Sequence, residues 1–504
     1  MKRQALHLAA ICSLAFTLNS NATVHYVDLN CTNRVPPYIV WSTAATNIQD
    51  AVDSSTNGDQ VLVTNGVYRG AVATTNAITI RSVNGAAVTF IDGNYTNSCV
   101  ILADGAALNG FTVTNGYSWY GAGVRCASTN VLVSDCLVVS NVSCGNVAGG
   151  VYSGTVSNCT LSYNTCRTIN GLGSGGGAGS SVLYNCILYG NLAGAGGAAV
   201  SSTLFRCVLR DNQANAGGAT YACVLNNCLV LNNSTFYDYR IDNCAYGGGL
   251  YGSTATNCTI VGNTSSQSRA MYPSGGGAFI STLMNCIVYG NKYGSGAVDN
   301  WSGCNISSTC TTPLPSDGAN NFTNAPLFVN QSGGDFHLQS TSPCINAGDN
   351  AYVTVTNDFD GNPRIKGGTV DVGAYEFQNP SSVISYAWLK RYGLTNNGSA
   401  DYADTDGDDM NNWQEWKTGT NPTNAASVMK MTSAAPTNNP AGLVVTWQSV
   451  SGMNYFIQRS SELGTQPPFS TIQSNIVGQT GTTSYTDTTA TNGGPFFYRV
   501  GVGN

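Results

Sequence analysis

Asn185-Cys186-Ile187-Leu188-Tyr189-Gly190-Asn191 returns, a short interval later, as Arg206-Cys207-Val208-Leu209-Arg210-Asp211-Asn212. The phrase is a polar or basic residue, a cysteine, an apolar run, and an asparagine five residues after the cysteine. It occurs seven times, with cysteines at Cys136, Cys159, Cys186, Cys207, Cys228, Cys258 and Cys286 and asparagines at Asn141, Asn164, Asn191, Asn212, Asn233, Asn263 and Asn291. Glycine clusters such as Gly175-Gly176-Gly177 and Gly247-Gly248-Gly249 precede most copies. A repeat of roughly 20–30 residues without helical periodicity is the mark of a stacked β-solenoid.

Each copy supplies one coil. The apolar pair after the cysteine is a short strand, and stacked coils form parallel sheets with strands about 4.8 Å apart. The asparagine tolerates a left-handed turn, and its amide can pair with the amide of the next coil. Paired glycines supply a bend where no Cβ fits, and the cysteine is a small apolar residue that stacks inward. Long coils insert residues after the asparagine, at Ser234–Tyr246 and Thr264–Ser274. Insertions at one point of every coil project from one side, where a binding surface is built.

The chain has 504 residues, a net charge of -6 and only 9% charged residues, which argues against a nucleic-acid partner. Lys2-Arg3, the apolar run Leu6–Leu18 and the small residues around Ala22 form a secretory signal, so the protein is expected outside the cell after cleavage at Ala22. No later stretch is long and apolar enough to span a membrane. Export permits disulfides, but in-register ladder cysteines would place parallel Cβ vectors about 4.8 Å apart, outside the favoured range. The ladder is therefore expected to hold free thiols. Cys144 and Cys166, at nearly equivalent loop positions of adjacent coils, are expected to pair, as are Cys310 and Cys344.

The series Asn47-Ile48-Gln49-Asp50-Ala51-Val52, Gly58-Asp59-Gln60-Val61-Leu62-Val63 and Gly66-Val67-Tyr68 resembles the N-terminal cap of the pectin lyase-like superfamily of right-handed parallel β-helices. The Gly-Gly-Ala and Asn-Cys…Gly-Asn repeats are similar to those of bacterial surface proteins of the polymorphic outer-membrane type. Asn324-Ala325-Pro326-Leu327-Phe328, Ser342-Pro343-Cys344-Ile345-Asn346 and Asp371-Val372-Gly373-Ala374-Tyr375-Glu376 resemble a choice-of-anchor Q region, expected to close the open end of the solenoid.

Asp404-Thr405-Asp406-Gly407-Asp408-Asp409-Met410-Asn411-Asn412-Trp413-Gln414-Glu415 resembles an EF-hand or dockerin-type calcium loop. The resemblance puts Asp404, Asp406, Asp408, Asn412 and Glu415 at ligand positions, with Met410 offering its carbonyl to Ca2+. The usual sixth-position glycine is Asp409, with Gly407 nearby. The strands Val444-Val445-Thr446-Trp447, Tyr455-Phe456-Ile457-Gln458-Arg459 and Phe497-Tyr498-Arg499-Val500 look like a small fibronectin III-like β-sandwich. The expected class is mainly β. Residues 1–22 are a signal peptide, 23–330 a parallel β-helix with its N-terminal cap, 331–378 a choice-of-anchor Q-like C-terminal cap, 379–430 a helix-loop-helix calcium module and 441–504 a β-sandwich.

A catalytic set is hard to assemble. The histidines are His7, His25 and His337, none of them in the repeats, and no glutamate precedes Glu376. A carboxylate pair for glycoside hydrolysis would have to come from Asp92, Asp104, Asp135, Asp211, Asp238, Asp242 or Asp299, and no two share a motif. Lys292 is the one lysine of the repeats. Arg167, Arg240 and Arg269 all follow ladder asparagines. Asp238-Tyr239-Arg240-Ile241-Asp242 is the densest charged cluster, flanked by Tyr237 and, in the next insertion, Tyr272. Arginine forks carboxylate or sulfate and tyrosine stacks on sugar rings. Arg167, Tyr237, Asp238, Tyr239, Arg240, Asp242, Arg269 and Tyr272 are thus the candidate surface for a polysaccharide or cell-surface glycan. Two readings stand: a secreted or surface glycan-binding or adhesion protein, itself held by an anchoring partner, or a polysaccharide lyase or glycosidase.

Overall fold

A computed structural model describes residues 22–503, apart from 169–170, 237–244, 267–273, 295, 439–440, 465–468 and 492–493. Residues 1–21 of the expected signal peptide lie outside the described residues. The chain divides into two units. The first, Met1–Pro326 with Ala351–Arg364 and Val372–Glu376, is a right-handed parallel β-solenoid of about nine turns. Three long walls build it. The first has twelve strands, from Val24–Val27 to Asn305–Ser307. The second has eleven, from Gly66–Arg69 to Cys310–Thr311, and the third has ten, from Val72–Ala73 to Trp301–Ser302. Neighbours are parallel and in register, so Leu183 stacks on Leu204 and Leu188 on Leu209, all fully buried.

The walls meet at corners, and each corner has one grammar. A residue in the left-handed conformation turns the chain, and the next side chain points inward. Between first and second walls the turning residue is the one before the cysteine, with φ of 50° to 54° from Asp135 to Asn285. At the next corner it is the one before the ladder asparagine, for example Tyr163, Gly190, Asp211 and Asn232. The left-handed turn expected at the asparagine itself thus falls one residue earlier, leaving the asparagine free to aim inward. Between third and first walls stands a third corner that the repeat phrase did not contain. There Ser180, Ser201, Ala222, Gly252 and Ile280 turn the chain, and Ser181, Ser202, Cys223, Ser253 and Ser281 point inward.

Inward corner side chains accept hydrogen bonds from the backbone N–H at the same corner of the preceding coil, in the cysteine column at Cys136, Cys159, Cys207, Cys228 and Cys258. Cys207 Sγ accepts from Cys186 at 3.5 Å, Ser202 Oγ from Ser181 at 3.1 Å, and Asn212 Oδ1 from Asn191 at 3.0 Å. The asparagines also bond amide to amide, Asn191 Nδ2 donating to Asn212 Oδ1 at 2.9 Å and Asn212 to Asn233 at 2.9 Å. The middle glycine of each cluster lets backbones close on one another: a Cβ on Gly218 would lie 2.1 Å from the Gly248 carbonyl oxygen.

Both ends are closed. Helix α1 (Ile48–Asp53) is capped by Asn47 and buries Ile48, Ala51 and Val52 against the first coils. At the far end Thr309 replaces the cysteine, accepting from Cys286 N–H, and Asn300 replaces the ladder asparagine. Residues 319–322 then pair with the last coil: Asn321 Oδ1 accepts from Thr309 N–H, and Phe322 O from Thr311 N–H. Closure therefore begins before residue 331, where the sequence places the C-terminal cap. Two pieces of 331–378 lie along the side instead. Asn227 Nδ2 donates to Asn357 O at 2.6 Å, Gly373 N–H to Asn285 O at 2.9 Å, and Ala374 N–H to Thr259 Oγ1 at 3.1 Å. This strap buries Leu229 and Ile287, whereas Leu137 and Ile187, at equivalent positions on earlier coils, stay about 40% exposed. Buried Arg364 ties the strap together by donating to the Gly373 and Ala374 carbonyls at 2.8 Å, 3.8 Å from Glu376.

The ladder cysteines are free thiols, as expected, but so are Cys144, Cys166 and Cys310. Neither expected disulfide is formed. Register explains the first: Cys166 stacks over Ser143, not Cys144. A one-residue offset in a strand sends the two side chains to opposite faces, and Cys166 is buried while Cys144 is half-exposed. The Cys310 thiol instead donates to the Asn324 carbonyl.

The second unit holds helices α2 (Tyr386–Arg391) and α3 (Asn412–Thr418) and two three-stranded antiparallel sheets. One sheet joins Met431–Asn438, Ala441–Ser449 and Gly481–Asp487. The other joins Ser470–Val477, Asn454–Ser460 and Phe497–Val502. Val445 and Trp447 of the first form one buried cluster with Tyr455 and Ile457 of the second.

The corner bonds give a graded prediction. Cys207→Ser keeps an acceptor for the Cys186 N–H and should cost under about 1 kcal/mol, whereas Cys207→Ala orphans that N–H and should cost about 1–3 kcal/mol. Asn212→Leu, which strands groups on two coils, should cost more than about 3 kcal/mol. Urea unfolding of the three variants measures the order.

Candidate functional site

Beyond each ladder asparagine the coil has a short fourth side. Val142, Thr165, Leu192, Gln213, Ser234, Thr264 and Lys292 stack along it. The ends of the insertions leave the coil between this side and the third wall, at one lip of the solenoid. Arg167 is on that lip, exposed, in the strand Thr165–Thr168, which folds back on Gly171–Leu172. Tyr237, Asp238, Tyr239, Arg240, Asp242, Arg269 and Tyr272 lie outside the described residues. The ends of their insertions are described: Ser234 stacks on Thr264, and Tyr246 continues the row that begins at Val147 and Ser174. Both insertions therefore start and finish on the lip that carries Arg167.

The same lip holds aromatic side chains that the repeat phrase does not mark. Tyr117–Tyr120 pairs with Val142–Val147, and that strand pairs with the one carrying Arg167. Tyr117, Trp119 and Tyr120 are 44%, 59% and 43% exposed. Tyr95 is 59% exposed and is tied by its N–H to Asn115 O, two residues before Tyr117. Tyr120 meets Tyr152 of the third wall at 6.1 Å. Further along that wall Tyr221, Tyr251 and Phe279 occupy one outward column, and Tyr246 packs on Phe279 at 4.4 Å. The two sets differ in what they offer. Tyr221 and Tyr251 are stacked at 4.9 Å and spend ring faces on each other, whereas Tyr95, Tyr117 and Trp119 make no ring contact among the described residues.

The described carboxylates of the repeat are held locally. Asp92 accepts from Asn115, Asp104 from Asn130, Asp135 from Asn109, and Asp211 pairs with Arg210 at 2.7 Å. Asp299 accepts from Ser274 N–H, and burial pushes its carboxyl up. His25 is buried in the N-terminal cap beside Asp59, at 3.3 Å.

The acidic loop of the second unit is a separate candidate site. Asp404 organises it, accepting from the N–H groups of Gly407 and Asp409 at 2.7 and 3.0 Å. Asp409 has φ of 72°, so it takes the left-handed conformation for which a glycine is usual. Helix α3 then starts with a capping box between Asn411 and Gln414. Asp404, Asp406 and Asp408 bring ligand oxygens within 4.8 Å of one another. Both Asp406 carboxylate oxygens, Asp408 Oδ2 and Glu415 Oε2 are buried without a hydrogen-bond partner. Glu415 is fully buried; burial and the charges of Asp406 and Asp408 push its carboxyl up to about 7. Unpaired hard oxygens of this kind are the donor set that a hard divalent cation takes. Asn412 is already engaged, accepting from Thr405 Oγ1 and donating to Ala400 O.

No family model matches the chain, and no curated protein matches it. Among solved structures it is similar to pectate lyase Pel9A, at 15% identity and a TM-score of 0.46 over 71% of this chain and 97% of that one. It is similar to a rhamnogalacturonan lyase at 12% identity and a TM-score of 0.40, over 74% and 99%. A carrot pectin methylesterase gives 14% identity and a TM-score of 0.29, over 57% and 88%.

The raised Glu415 carboxyl has a signed consequence. Its folded value of about 7 lies above the ordinary 4.5, so the folded state holds the extra proton between them. Without divalent cations, stability of the acidic module should therefore fall as pH rises from 4.5 to about 7 and level off above. Glu415→Gln should flatten that slope. Thermal melts across the window, in chelator, measure both.

Proposed function

We propose that this protein is an extracellular glycan-binding protein that engages an extended polysaccharide along the insertion lip. One observation carries the reading: exposed rings with free faces, at Tyr95, Tyr117 and Trp119, share the lip with Arg167. Aromatic faces pack on the apolar face of a pyranose, and a guanidinium forks a carboxylate or sulfate. The stacked rings of the third wall present edges and serve to stiffen the wall. Arg240, Arg269, Tyr237, Tyr239 and Tyr272 extend the same surface on this proposal, since their insertions leave from the same lip. The held aspartates of the repeat support binding over carboxylate-pair hydrolysis.

The other modules complete the proposal. Asp404, Asp406, Asp408 and Glu415 would hold Ca2+, with the Met410 carbonyl completing the shell, and the ion would relieve the repulsion among four acids. The two C-terminal sheets would act as a fibronectin III-like spacer towards an anchoring partner on the cell surface. Removal of residues 1–22 on export would leave Thr23 at the new N-terminus.

The binding reading is tested on a panel of neutral and acidic polysaccharides. Trp119→Ala combined with Tyr117→Ala should weaken binding by at least tenfold, about 1.4 kcal/mol. Arg167→Ala should reduce the salt dependence on acidic members. Binding unchanged by these substitutions would move the site elsewhere. Appearance of unsaturated sugar ends would replace binding with lyase activity.

A further inference from the structure

The two C-terminal sheets have four edges, and three are blunted. Met431–Asn438 carries Pro436 and a register shift. Ser470–Val477 pairs with two register shifts and has Asn475 in the left-handed conformation. Gly481–Asp487 is polar apart from Tyr485 and its glycine. Phe497–Val502 is different. It pairs with Asn454–Ser460 in unbroken register, holds no proline or lysine, and no described strand pairs with its outer edge. Tyr498, Val500 and Val502 face the buried cluster yet stay half-buried. Natural sheets seldom leave such an edge open.

The direction of its hydrogen bonds can be read. Gly503 N–H donates to Asn454 O at 2.8 Å, in the register that pairs Tyr455 with Val502. Backbone N–H groups alternate sides along a strand, so Gly501 and Arg499 also point inward to that neighbour. Tyr498, Val500 and Val502 therefore present their N–H and C=O groups to the open edge.

We propose that this edge pairs with the same edge of a second copy of the chain, antiparallel and centred on Val500. In that register the two Val500 residues exchange N–H···O bonds. Tyr498 lies across from the other copy's Val502, so apolar side chains meet on the core face. Arg499 lies across from the other copy's Gly501, so the two guanidiniums do not oppose each other. Each Arg499 is occupied within its own copy, donating to Gln458 and lying over the Phe469 ring at 4.6 Å. A parallel pairing would set arginine on arginine. The result is a six-stranded sheet through a two-fold axis, the self-complementary contact that closes a dimer. Six residues a side make a small interface, so the dimer is weak and concentration-dependent.

The experiment is sedimentation of the full chain over roughly 1 to 100 μM. The dimer fraction should rise several-fold across that range. Val500→Pro removes the outward N–H, a change that edge strands tolerate, and it should hold the chain monomeric, with Val500→Ala, which trims the same side chain but keeps the N–H, still dimerising. Amide exchange gives a reading that needs no variant. The Val500 and Val502 amides should be protected at high concentration and exchange rapidly on dilution. A wild type that stays monomeric throughout, or Val500 and Val502 amides whose exchange ignores concentration, overturns the proposal. So does a Val500→Pro chain that dimerises like the wild type.

Discussion

A chain that turns a corner in a solenoid leaves backbone N–H groups pointing at the next coil, out of the strand ladder and away from water. A buried N–H without an acceptor costs about 1–3 kcal/mol, and here the problem recurs at three corners of every repeat coil. The structure answers it with one device. A left-handed residue turns the chain, and the next side chain reaches back to accept the orphaned N–H. Sulfur, hydroxyl and amide oxygen all serve, as Cys207, Ser202 and Asn212 do within a single coil. The rest depends on this: register, the closeness of the coils, the glycines that permit it, and the side on which insertions emerge.

The device also explains the thiols. Cys207, Cys228 and Cys258 accept backbone hydrogen bonds inside the buried core, where burial raises them well above an ordinary thiol. Thiolate is the reactive form, so the chain can carry them as packing groups. Where the column ends, Thr309 supplies the same acceptor with oxygen.

Much of this was legible in the residues. A fixed Cys-to-Asn spacing gave coil, register and both ladders, because period and side-chain direction are locked together in a strand. The third corner was not legible, because Ser181 and Ser202 are unremarkable in a chain rich in serine; its signal was a serine or cysteine five residues before the last five ladder cysteines, from Cys186 to Cys286, with Val131 and Gly154 at that place before Cys136 and Cys159. The disulfide at Cys144 and Cys166 failed on a single residue of offset, which spacing in long insertions does not fix. Trp119 and its neighbours lie upstream of the repeat phrase, so a search for repetition passed over them; three aromatics in the four residues Tyr117–Tyr120 were the available sign. The strap could not be placed from sequence, since which coil faces receive it depends on contacts far apart in the chain.

The central claim is that corner amides are bonded as firmly as strand amides. Native-state hydrogen exchange reads it residue by residue. The amides of Ser181, Cys186 and Asn191 should be protected to the same degree as that of Leu188 in the adjoining strand, and all should open together. Corner amides that exchange orders of magnitude faster than Leu188 would contradict it, and the solenoid would then be held by its strand ladders alone.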